Sequence, residues 1–314
     1  MEKILSSGVS GKPSVAARGA VLFPMVAVLI WSGNTVISKL AASVIAPDTI
    51  SFYRWLIALA ILTPWLALPT WKNRQRIKPY LSRLAVLGCL GMAAYQGLSY
   101  VAAQTSSAVN MGIIVALVPL MSAVLSSVLA NEPLTRGCLI GGAISLVGVV
   151  YLLSQGHPSA LLHTGFVVGD VVMFVGALGY ALYSVLLRRW AMPIPTWQSL
   201  YMQISFGLLC ILPWYLMTPA SPITADNIGF LLYAALLASL VAPYVWFRGI
   251  AVAGPGRLAL YFNLVPVFVI VIAVMVAGES LHAYHMVGGL LALAGVILGQ
   301  YWRTPVKQTQ RAIV

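Results

Sequence analysis

The sequence predicts an all-α integral membrane protein, with ten transmembrane helices arranged as two inverted five-helix repeats. Three observations lead to this prediction. Of the 314 residues, 61% are hydrophobic and only 8% are charged, whereas a soluble domain carries about 25% charged residues. The apolar residues fall into ten runs of spanning length, and the second half of the chain repeats landmarks of the first. The composition alone excludes soluble enzymes, disordered chains and disulfide scaffolds.

Turn-forming or charged residues separate the ten runs, as in Ala46-Pro47-Asp48 and Pro193-Ile194-Pro195. Each run approaches the ~20 apolar residues that a helix needs to cross a bilayer. The first run is too long for the apolar part of a signal peptide, so a retained helix is favoured over a cleaved one. The predicted spans are 19–40, 49–69, 84–103, 107–129, 137–154, 165–187, 197–217, 228–247, 258–277 and 283–302.

The net charge of +12 is better explained by membrane orientation than by nucleic-acid binding. Ten spans place 16 of the 18 Lys and Arg residues on the side of both termini, leaving only Lys39 and Arg54 toward the other side. Cytoplasmic loops carry an excess of Lys and Arg, so both termini are predicted to be cytoplasmic. The predicted partners are the lipid bilayer and a small molecule, with no nucleic acid. The oligomeric state is not readable from the sequence, and a monomer can suffice.

An internal repeat divides the chain. Displacing the sequence by 147 residues aligns Leu117-Val118-Pro119 with Leu264-Val265-Pro266, and Glu132 with Glu279. Each half holds five spans, an odd number, so the second half must enter the membrane in the opposite direction. Inverted repeats are typical of transporters, with the substrate site near the midplane. The predicted division is an N-terminal tail 1–18, a first repeat 19–155, a second repeat 165–302 and a C-terminal tail 303–314.

These landmarks resemble those of a known family. In each half, a proline in the fourth span is followed by a Glu-x-Leu corner (Glu132-Pro133-Leu134 and Glu279-Ser280-Leu281) and a glycine-rich fifth span. This pattern resembles the EamA-type transporters of the drug/metabolite transporter (DMT) superfamily over essentially all ten spans. The tyrosine- and tryptophan-rich spans look most like the YddG-type exporters of aromatic and other amino acids. The resemblance implies a helix basket with a central cavity, working by alternating access in a bacterial inner membrane.

Three helix faces combine polar and aromatic side chains at helical spacing, in the first, third and sixth spans. Polar side chains facing lipid would lack hydrogen-bond partners, so these faces are expected to line the cavity. The alternative is that individual members only hold the bundle together. A looser set surrounds the eighth and ninth spans, where Tyr261 and Asn263 differ by ~200° of rotation and cannot both face one cavity. The candidate substrate-binding residues are Trp31, Asn34, Ser38, Tyr95, Gln96, Tyr100, Tyr180, Tyr183, Tyr244, Trp246, Tyr261 and Asn263.

Pro119 and Pro266 lie near the centres of their spans and are predicted to be hinges. Each removes an amide donor and frees the carbonyl four residues earlier, at Val115 and Phe262. Freed carbonyls at the midplane could accept hydrogen bonds from the ammonium group of an amino acid. The alternative is two kinks that only shape the basket.

Charged residues are informative mainly by their absence from the span centres, where each would cost roughly 2.5–3.5 kcal/mol. Arg54 and Asp170 lie inside their spans on the extracytoplasmic side, where they either pair with each other or extend to the membrane surface. A zwitterion suits a cavity without fixed central charge, since it brings no net charge. Together with the export that the resemblance implies, the predicted function is export of amino acids, with aromatic or large apolar side chains preferred.

Two alternative functions remain at this stage. One is transport of another small amphipathic metabolite, and the more distant one is an intramembrane enzyme. The enzyme would need a nucleophile with its base or a metal set, and the sequence holds neither GxSxG nor HExxH. The three cysteines and four histidines show no metal-ligand spacing. No catalytic residue, metal or cofactor is predicted.

Overall fold

The structure is a computed structural model that describes residues 15–129, 135–160, 167–219, 221–253, 261–302 and 304. The Glu132-Pro133-Leu134 corner, the Asn263 side chain and most of both predicted tails lie outside the described residues. The described part of the chain folds into helices joined by short turns. Helices α1 to α10 are Val15–Ala41, Pro47–Lys72, Arg74–Ala103, Ala108–Leu129, Arg136–Leu153, Val168–Trp190, Thr196–Met217, Ala225–Gly249, Val265–Val276 and Ala283–Tyr301.

Seven of these helices, α1 to α4 and α6 to α8, are long and apolar enough to cross a membrane. The other three, α5, α9 and α10, are apolar but shorter over the residues that the structure describes. Large apolar side chains point away from the bundle, as shown by Met217 at 86% and Met275 at 79% exposure. An exposed apolar surface of this extent is stable against lipid and not against water. The chain is therefore a multi-pass membrane protein.

Helix starts follow ordinary capping chemistry. The Ser107 hydroxyl accepts the Asn110 amide at 3.0 Å and caps α4. A second cap comes from the opposite half of the chain, where the Glu279 carboxylate accepts the amides of Ala108 at 2.7 Å and Val109 at 3.2 Å. The first amides of a helix have no partner within it, and the positive end of its dipole favours an anion. The Glu-x-Leu corner after α9 therefore fixes the start of α4.

The two landmark prolines begin helical segments, rather than kinking continuous helices. Helix α4 consists of Ala108–Val115 and Val118–Leu129, with Pro119 in the first turn of the second segment. Pro266 lies in the first turn of α9, directly after a 3-10 turn. The sequence predicted a free carbonyl at Phe262, but this carbonyl accepts a hydrogen bond from the Val265 amide. The missing proline amide costs little at such a position, because the first amides of a helix are unpaired anyway.

Glycines allow α5 and α10 to pack closely in antiparallel orientation. A Cβ atom at Gly141 would collide with the carbonyl oxygen of Gly295, and one at Gly148 with the carbonyl oxygen of Gly288. Small residues at these positions let the two backbones approach each other, which is how helices associate in a membrane without a hydrophobic driving force.

The contacts between α5 and α10 are also reciprocal. In the 147-residue displacement, Gly141 corresponds to Gly288 and Gly148 corresponds to Gly295. The contact between Gly141 and Gly295 is therefore the counterpart of the contact between Gly148 and Gly288. At the crossing point, the Ser145 hydroxyl donates a 2.7 Å hydrogen bond to the carbonyl of Ala292, its own counterpart in the displaced sequence. The two helices therefore meet around a local twofold axis.

Candidate functional site: a cavity between the helices

A cavity of about 660 Å³ lies between α1–α4 and α6–α9, within the range of small-molecule sites in proteins. Its exposed lining residues, Leu187, Ala191 and Thr196, all lie at the connection between α6 and α7. The cavity opens at that end. Its opposite end is closed, and Arg54, which lines it there, is only 2% exposed.

One wall of the cavity is a cluster of three aromatic rings from α1, α8 and the turn before α9. The ring planes of Trp31 and Phe262 are stacked, with centroids 5.5 Å apart and an interplanar angle of 11°. The Trp246 ring meets Phe262 edge-on with centroids 4.7 Å apart, and it is tilted by 59° against the Trp31 ring at 5.4 Å. Such arrangements are favourable for aromatic pairs, so this wall presents a large, ordered apolar surface.

A second wall is built from tyrosines of α3 and α6. The Tyr180 ring lies 4.6 Å from that of Tyr95 and 5.3 Å from that of Tyr183. The Tyr183 hydroxyl donates to the Gln203 side chain at 3.0 Å, and Gln203 donates in turn to Ser199 at 3.0 Å. The phenol ring of Tyr183 is thereby held in place by a satisfied polar chain. This wall is aromatic with a polar edge.

Short π-helical segments in α3 (Gly88–Ala94) and α8 (Tyr233–Val241) support two cavity tryptophans. The Trp55 indole N–H donates to the carbonyl of Met92 at 2.8 Å, and that of Trp31 to the carbonyl of Ala238 at 3.2 Å. A π-helical turn shifts the backbone hydrogen-bond register, and such turns occur often at functional sites. Here carbonyls in both segments accept bonds from tryptophans of neighbouring helices.

The closed end of the cavity is polar and carries a buried cation. Arg54 donates from Nε to the Ser239 hydroxyl at 2.6 Å. From Nη1 it donates to Gln96 at 2.9 Å, to Tyr100 at 3.1 Å and to Asn34 at 3.5 Å. An arginine stays protonated under ordinary conditions. The cavity therefore carries a fixed positive charge, at its closed end rather than at the centre of a span.

Asp170, the second charge considered in the sequence, is also buried, with 1% of its surface exposed. It accepts the Ser106 hydroxyl at 2.5 Å and the Asn110 side-chain amide at 3.3 Å from each carboxylate oxygen. It does not belong to the cavity lining. Asp170 and Arg54 each have neutral partners, so they neither pair with each other nor extend to the surface.

The structure brings seven of the twelve predicted side chains together at the cavity. They come from α1, α3, α6 and α8 and form the two aromatic walls and part of the polar end. These residues are Trp31, Asn34, Tyr95, Gln96, Tyr180, Tyr183 and Trp246. Pro119 also lines the cavity, whereas Pro266 is buried at the start of α9.

Two predicted residues lie behind the closed end. Ser38 is 1% exposed and donates to the Asn34 carbonyl of its own helix at 2.8 Å. Tyr100 is 2% exposed, packs with Ile50 in an apolar cluster and accepts the hydrogen bond from Arg54. Both follow the predicted helix faces, but they lie beyond the point where the cavity ends.

Two further predicted residues face elsewhere. Tyr244 is 50% exposed, and its ring centroid lies 6.2 Å from that of Trp197. Two positions along a helix correspond to ~200° of rotation, so Tyr244 cannot share the cavity face with Trp246. Tyr261 packs against an apolar core cluster. The Asn263 side chain lies outside the described residues.

Sequence reasoning missed several cavity residues. Arg54 carried a signal, because an ionisable residue inside an apolar span is a candidate functional residue by default. Gln203 carried a weaker signal, because it is a polar residue inside an apolar span, four positions after Ser199. Phe262 carried none, since it does not stand out from its apolar neighbours in the sequence. Their roles depend on which helix face meets the cavity.

Comparison with known proteins identifies the chain. A profile of the EamA-like transporter family matches residues 18–154 and again residues 167–299. The chain belongs to the EamA-like transporter family. Membership agrees with the landmarks of the sequence and excludes the enzyme alternative. The protein is a membrane transporter for a small molecule, and not an enzyme.

Similar proteins include several transporters. An uncharacterized transporter of Archaeoglobus fulgidus is 28% identical, covering 90% of this chain and 96% of its own. The uncharacterized transporter YyaM of Bacillus subtilis is 25% identical, and the match covers 85% of this chain and 89% of YyaM. A Streptantibioticus cattleyicolor protein named "Probable terminal-alkyne amino-acid exporter" is 27% identical, and the match covers 77% of this chain and 79% of that protein. One crystal structure, 19% identical, has a TM-score of 0.58 over 90% of this chain and 96% of its own, and shows the same fold.

Proposed function

We propose that this transporter exports amino acids, with aromatic or large apolar side chains preferred. The observation that carries the proposal is a cavity with two aromatic walls and one polar, closed end. Each aromatic contact contributes ~0.5–1.5 kcal/mol beyond the burial of surface. An amino acid has matching halves, because its backbone groups are polar and its side chain is apolar. The similarity to the Streptantibioticus cattleyicolor protein named "Probable terminal-alkyne amino-acid exporter" supports amino acids as the substrate class. The resemblance of the tyrosine- and tryptophan-rich spans to YddG-type exporters supports the preference for aromatic side chains.

The architecture that we propose is the ten-span inverted repeat, with repeats at 19–155 and 165–302. The family profile matches two stretches of the chain, and α5 and α10 meet antiparallel around a local twofold axis. In this arrangement α5, α9 and α10 also span the bilayer. Transport proceeds by alternating access, as one repeat moves against the other.

The orientation follows from the distribution of charge, with both termini in the cytoplasm of a bacterial inner membrane. Arg188 and Arg189 lie at the end of α6, beside the open end of the cavity. Because positive residues remain in the cytoplasm, that opening faces the cytoplasm and Arg54 lies at the extracytoplasmic end. A substrate of an exporter would enter from this side.

The function is tested by transport into sealed vesicles that hold the purified protein. Phenylalanine, tryptophan and leucine should move down their gradients faster than glycine or serine, because only the larger side chains contact the aromatic walls. A Trp31→Ala variant, which lacks one ring of the aromatic wall, should show a smaller preference for large side chains. Equal rates for all five amino acids would contradict the proposed selectivity, and no transport of any would contradict the substrate class.

Reporter fusions test the architecture. A reporter placed within Lys72–Lys78 should lie in the cytoplasm, and one within Ser221–Ala225 outside it. The two positions are separated by five proposed spans, an odd number. If both reporters were found on the same side, the ten-span inverted repeat would be excluded.

A further inference from the structure

The polar end of the cavity holds a positive charge without an opposite one. Arg54 is hydrogen-bonded by Asn34, Gln96, Tyr100 and Ser239, all of which are neutral. Its guanidinium also lies 5.0 Å from the ring of Trp55. Among the described residues that line the cavity, no aspartate or glutamate is present. The charge is therefore solvated by dipoles and not neutralised.

Neutral partners leave this cation available to an anion. Taking a charge out of water is costly, and hydrogen bonds to neutral acceptors offset only part of that cost. Within the described part of the chain, Nη2 of Arg54 has no hydrogen-bond partner, although Nε and Nη1 are both engaged. The planar guanidinium is thus held in one orientation with a donor remaining, at a position that lines the cavity.

A purely structural role explains these features less well. The partners of Arg54 belong to α1, α3 and α8, so the side chain does connect helices. A neutral donor such as glutamine could make similar connections without a buried charge. The positive charge has a use if an anionic group of the ligand offsets it, since charge-assisted hydrogen bonds are about twice as strong as neutral ones.

We propose that Arg54 binds the carboxylate of the transported molecule at the closed end of the cavity, and that this carboxylate, rather than an ammonium group, is what the polar end recognises. The substrate class is therefore monocarboxylates with a large apolar or aromatic body, including acids that lack the amino group. This inference rests on the proposed function and extends it. The apolar body of the ligand extends from Arg54 between the two aromatic walls toward the opening.

The test compares four matched ligands on the purified protein: phenylalanine, 3-phenylpropanoate, phenethylamine and phenylalanine amide. Binding is followed by tryptophan fluorescence, because Trp31, Trp55 and Trp246 line the cavity. The two carboxylates should bind at least about tenfold more tightly than the amine and the amide, as expected for a charge-assisted contact with a buried guanidinium. Equal binding of all four ligands would overturn the proposal, and this comparison needs no variant.

Variants assign the preference to one residue. Arg54→Gln should remove the preference for carboxylates, Arg54→Lys should retain part of it, and Tyr100→Phe, which removes a supporting hydroxyl, should weaken it. The matched control is Arg248→Gln, since Arg248 is exposed and lies outside the cavity lining. A preference that survives in Arg54→Gln would overturn the proposal.

Two further arms separate this proposal from others. Inorganic phosphate and chloride are titrated alone, and tighter binding of either than of 3-phenylpropanoate would show an inorganic-anion site instead. Leucine and 4-methylpentanoate repeat the comparison without a ring. If no amino acid is transported but carboxylates bind through Arg54, the proposed amino-acid export fails and the carboxylate site stands. If amino acids are transported and Arg54→Gln leaves the ligand preference unchanged, the carboxylate site fails and the proposed amino-acid export stands.

Discussion

Arg54 and Asp170 are two buried charges near the same end of the helix bundle, and they differ in what remains open to a ligand. Asp170 lies in the first turn of α6, and its carboxylate accepts bonds from Ser106 and Asn110. Its charge is further stabilised by the positive end of the α6 dipole. Arg54 is bonded as extensively but lines the cavity, with a donor nitrogen that no described residue engages.

The difference shows that burial of a charge does not by itself mark a transport site. Asp170 joins the turn after α3 and the start of α4 to the start of α6, which is a structural role. Arg54 retains an unneutralised charge on a surface that a ligand can reach. Arg54 differs from Asp170 in its access to the cavity and in its unused hydrogen-bonding capacity. Variants of the two residues test this difference.

The largest expected effect is on transport. Arg54→Gln should lower the rate of phenylalanine transport at least about tenfold, because one charge-assisted contact is lost from the bound state. Asp170→Asn should leave the rate of properly folded protein close to that of the unchanged chain. Both rates are measured in vesicles with equal amounts of folded protein, as judged by size-exclusion chromatography. A greater loss of transport in Asp170→Asn than in Arg54→Gln would reverse the comparison.

The next effect is on stability, where Asp170 should matter more. Asp170→Ala leaves the Ser106 hydroxyl and the Asn110 amide without their acceptor, and each buried unsatisfied group costs about 1–3 kcal/mol. The midpoint of thermal unfolding in detergent should therefore fall clearly. Asp170→Asn is the control, since it keeps one acceptor oxygen and should lose less. An unchanged midpoint in Asp170→Ala would show that the hydrogen bonds of Asp170 contribute nothing to the fold.

A smaller effect is expected at the cytoplasmic opening, away from both charges. Tyr180 contacts the rings of Tyr95 and Tyr183 in the structure, whose cavity is open at the α6–α7 connection, so we expect this cluster to stabilise the inward-facing state. Loss of two contacts worth ~0.5–1.5 kcal/mol each should shift the populations several-fold toward the outward-facing state. Tyr180→Ala should then lower the rate at which an impermeant reagent on the cytoplasmic side labels Ser184→Cys.

The labelling experiment uses a background that lacks the three native cysteines. Its control is Tyr244→Ala, because Tyr244 is half exposed and lies off the cavity face. If both tyrosine variants changed the labelling rate equally, or neither did, the Tyr180 cluster would not stabilise the inward-facing state. The preference for carboxylates should survive in Tyr180→Ala, which separates the role of this cluster from that of Arg54.

The smallest expected effect is that of a pH gradient. In the described part of the chain no carboxylate lines the cavity, and Asp170 is enclosed by its own partners. Downhill transport of phenylalanine should therefore continue at nearly the same rate after the proton gradient is collapsed with an ionophore. Transport that stops on collapse of the gradient, and becomes independent of it in Asp170→Asn, would make Asp170 the proton carrier.

Much of the fold is predictable from local features of the chain. The predicted span 49–69 lies within Pro47–Lys72, and the predicted span 197–217 nearly coincides with Thr196–Met217. These agreements have a simple cause. A helix in lipid satisfies its own backbone hydrogen bonds, so the length of an apolar run largely determines the length of the helix. The order of prolines, Glu-x-Leu corners and glycines predicted the EamA family, which the family profile confirms.

The site was predictable only in part, because the identity of a residue does not tell which neighbour its helix face meets. Rotation along the helix separates Tyr244 from Trp246, and the sequence pattern alone did not show which of the two faces the cavity. Phe262 joined the aromatic wall without any signal in the sequence. Apolar runs show little amphipathic contrast, so their orientation is set by packing against other helices.

The sequence by itself determined that this chain is a helical membrane protein with a repeated family pattern, because these properties depend on run length, charge distribution and the order of prolines and glycines. The tertiary structure decided what the buried side chain of Arg54 contacts. Arg54 meets Gln96 from 42 residues away and Ser239 from 185 residues away. Contacts at such distances depend on how the helices pack side by side, and no local pattern encodes that arrangement.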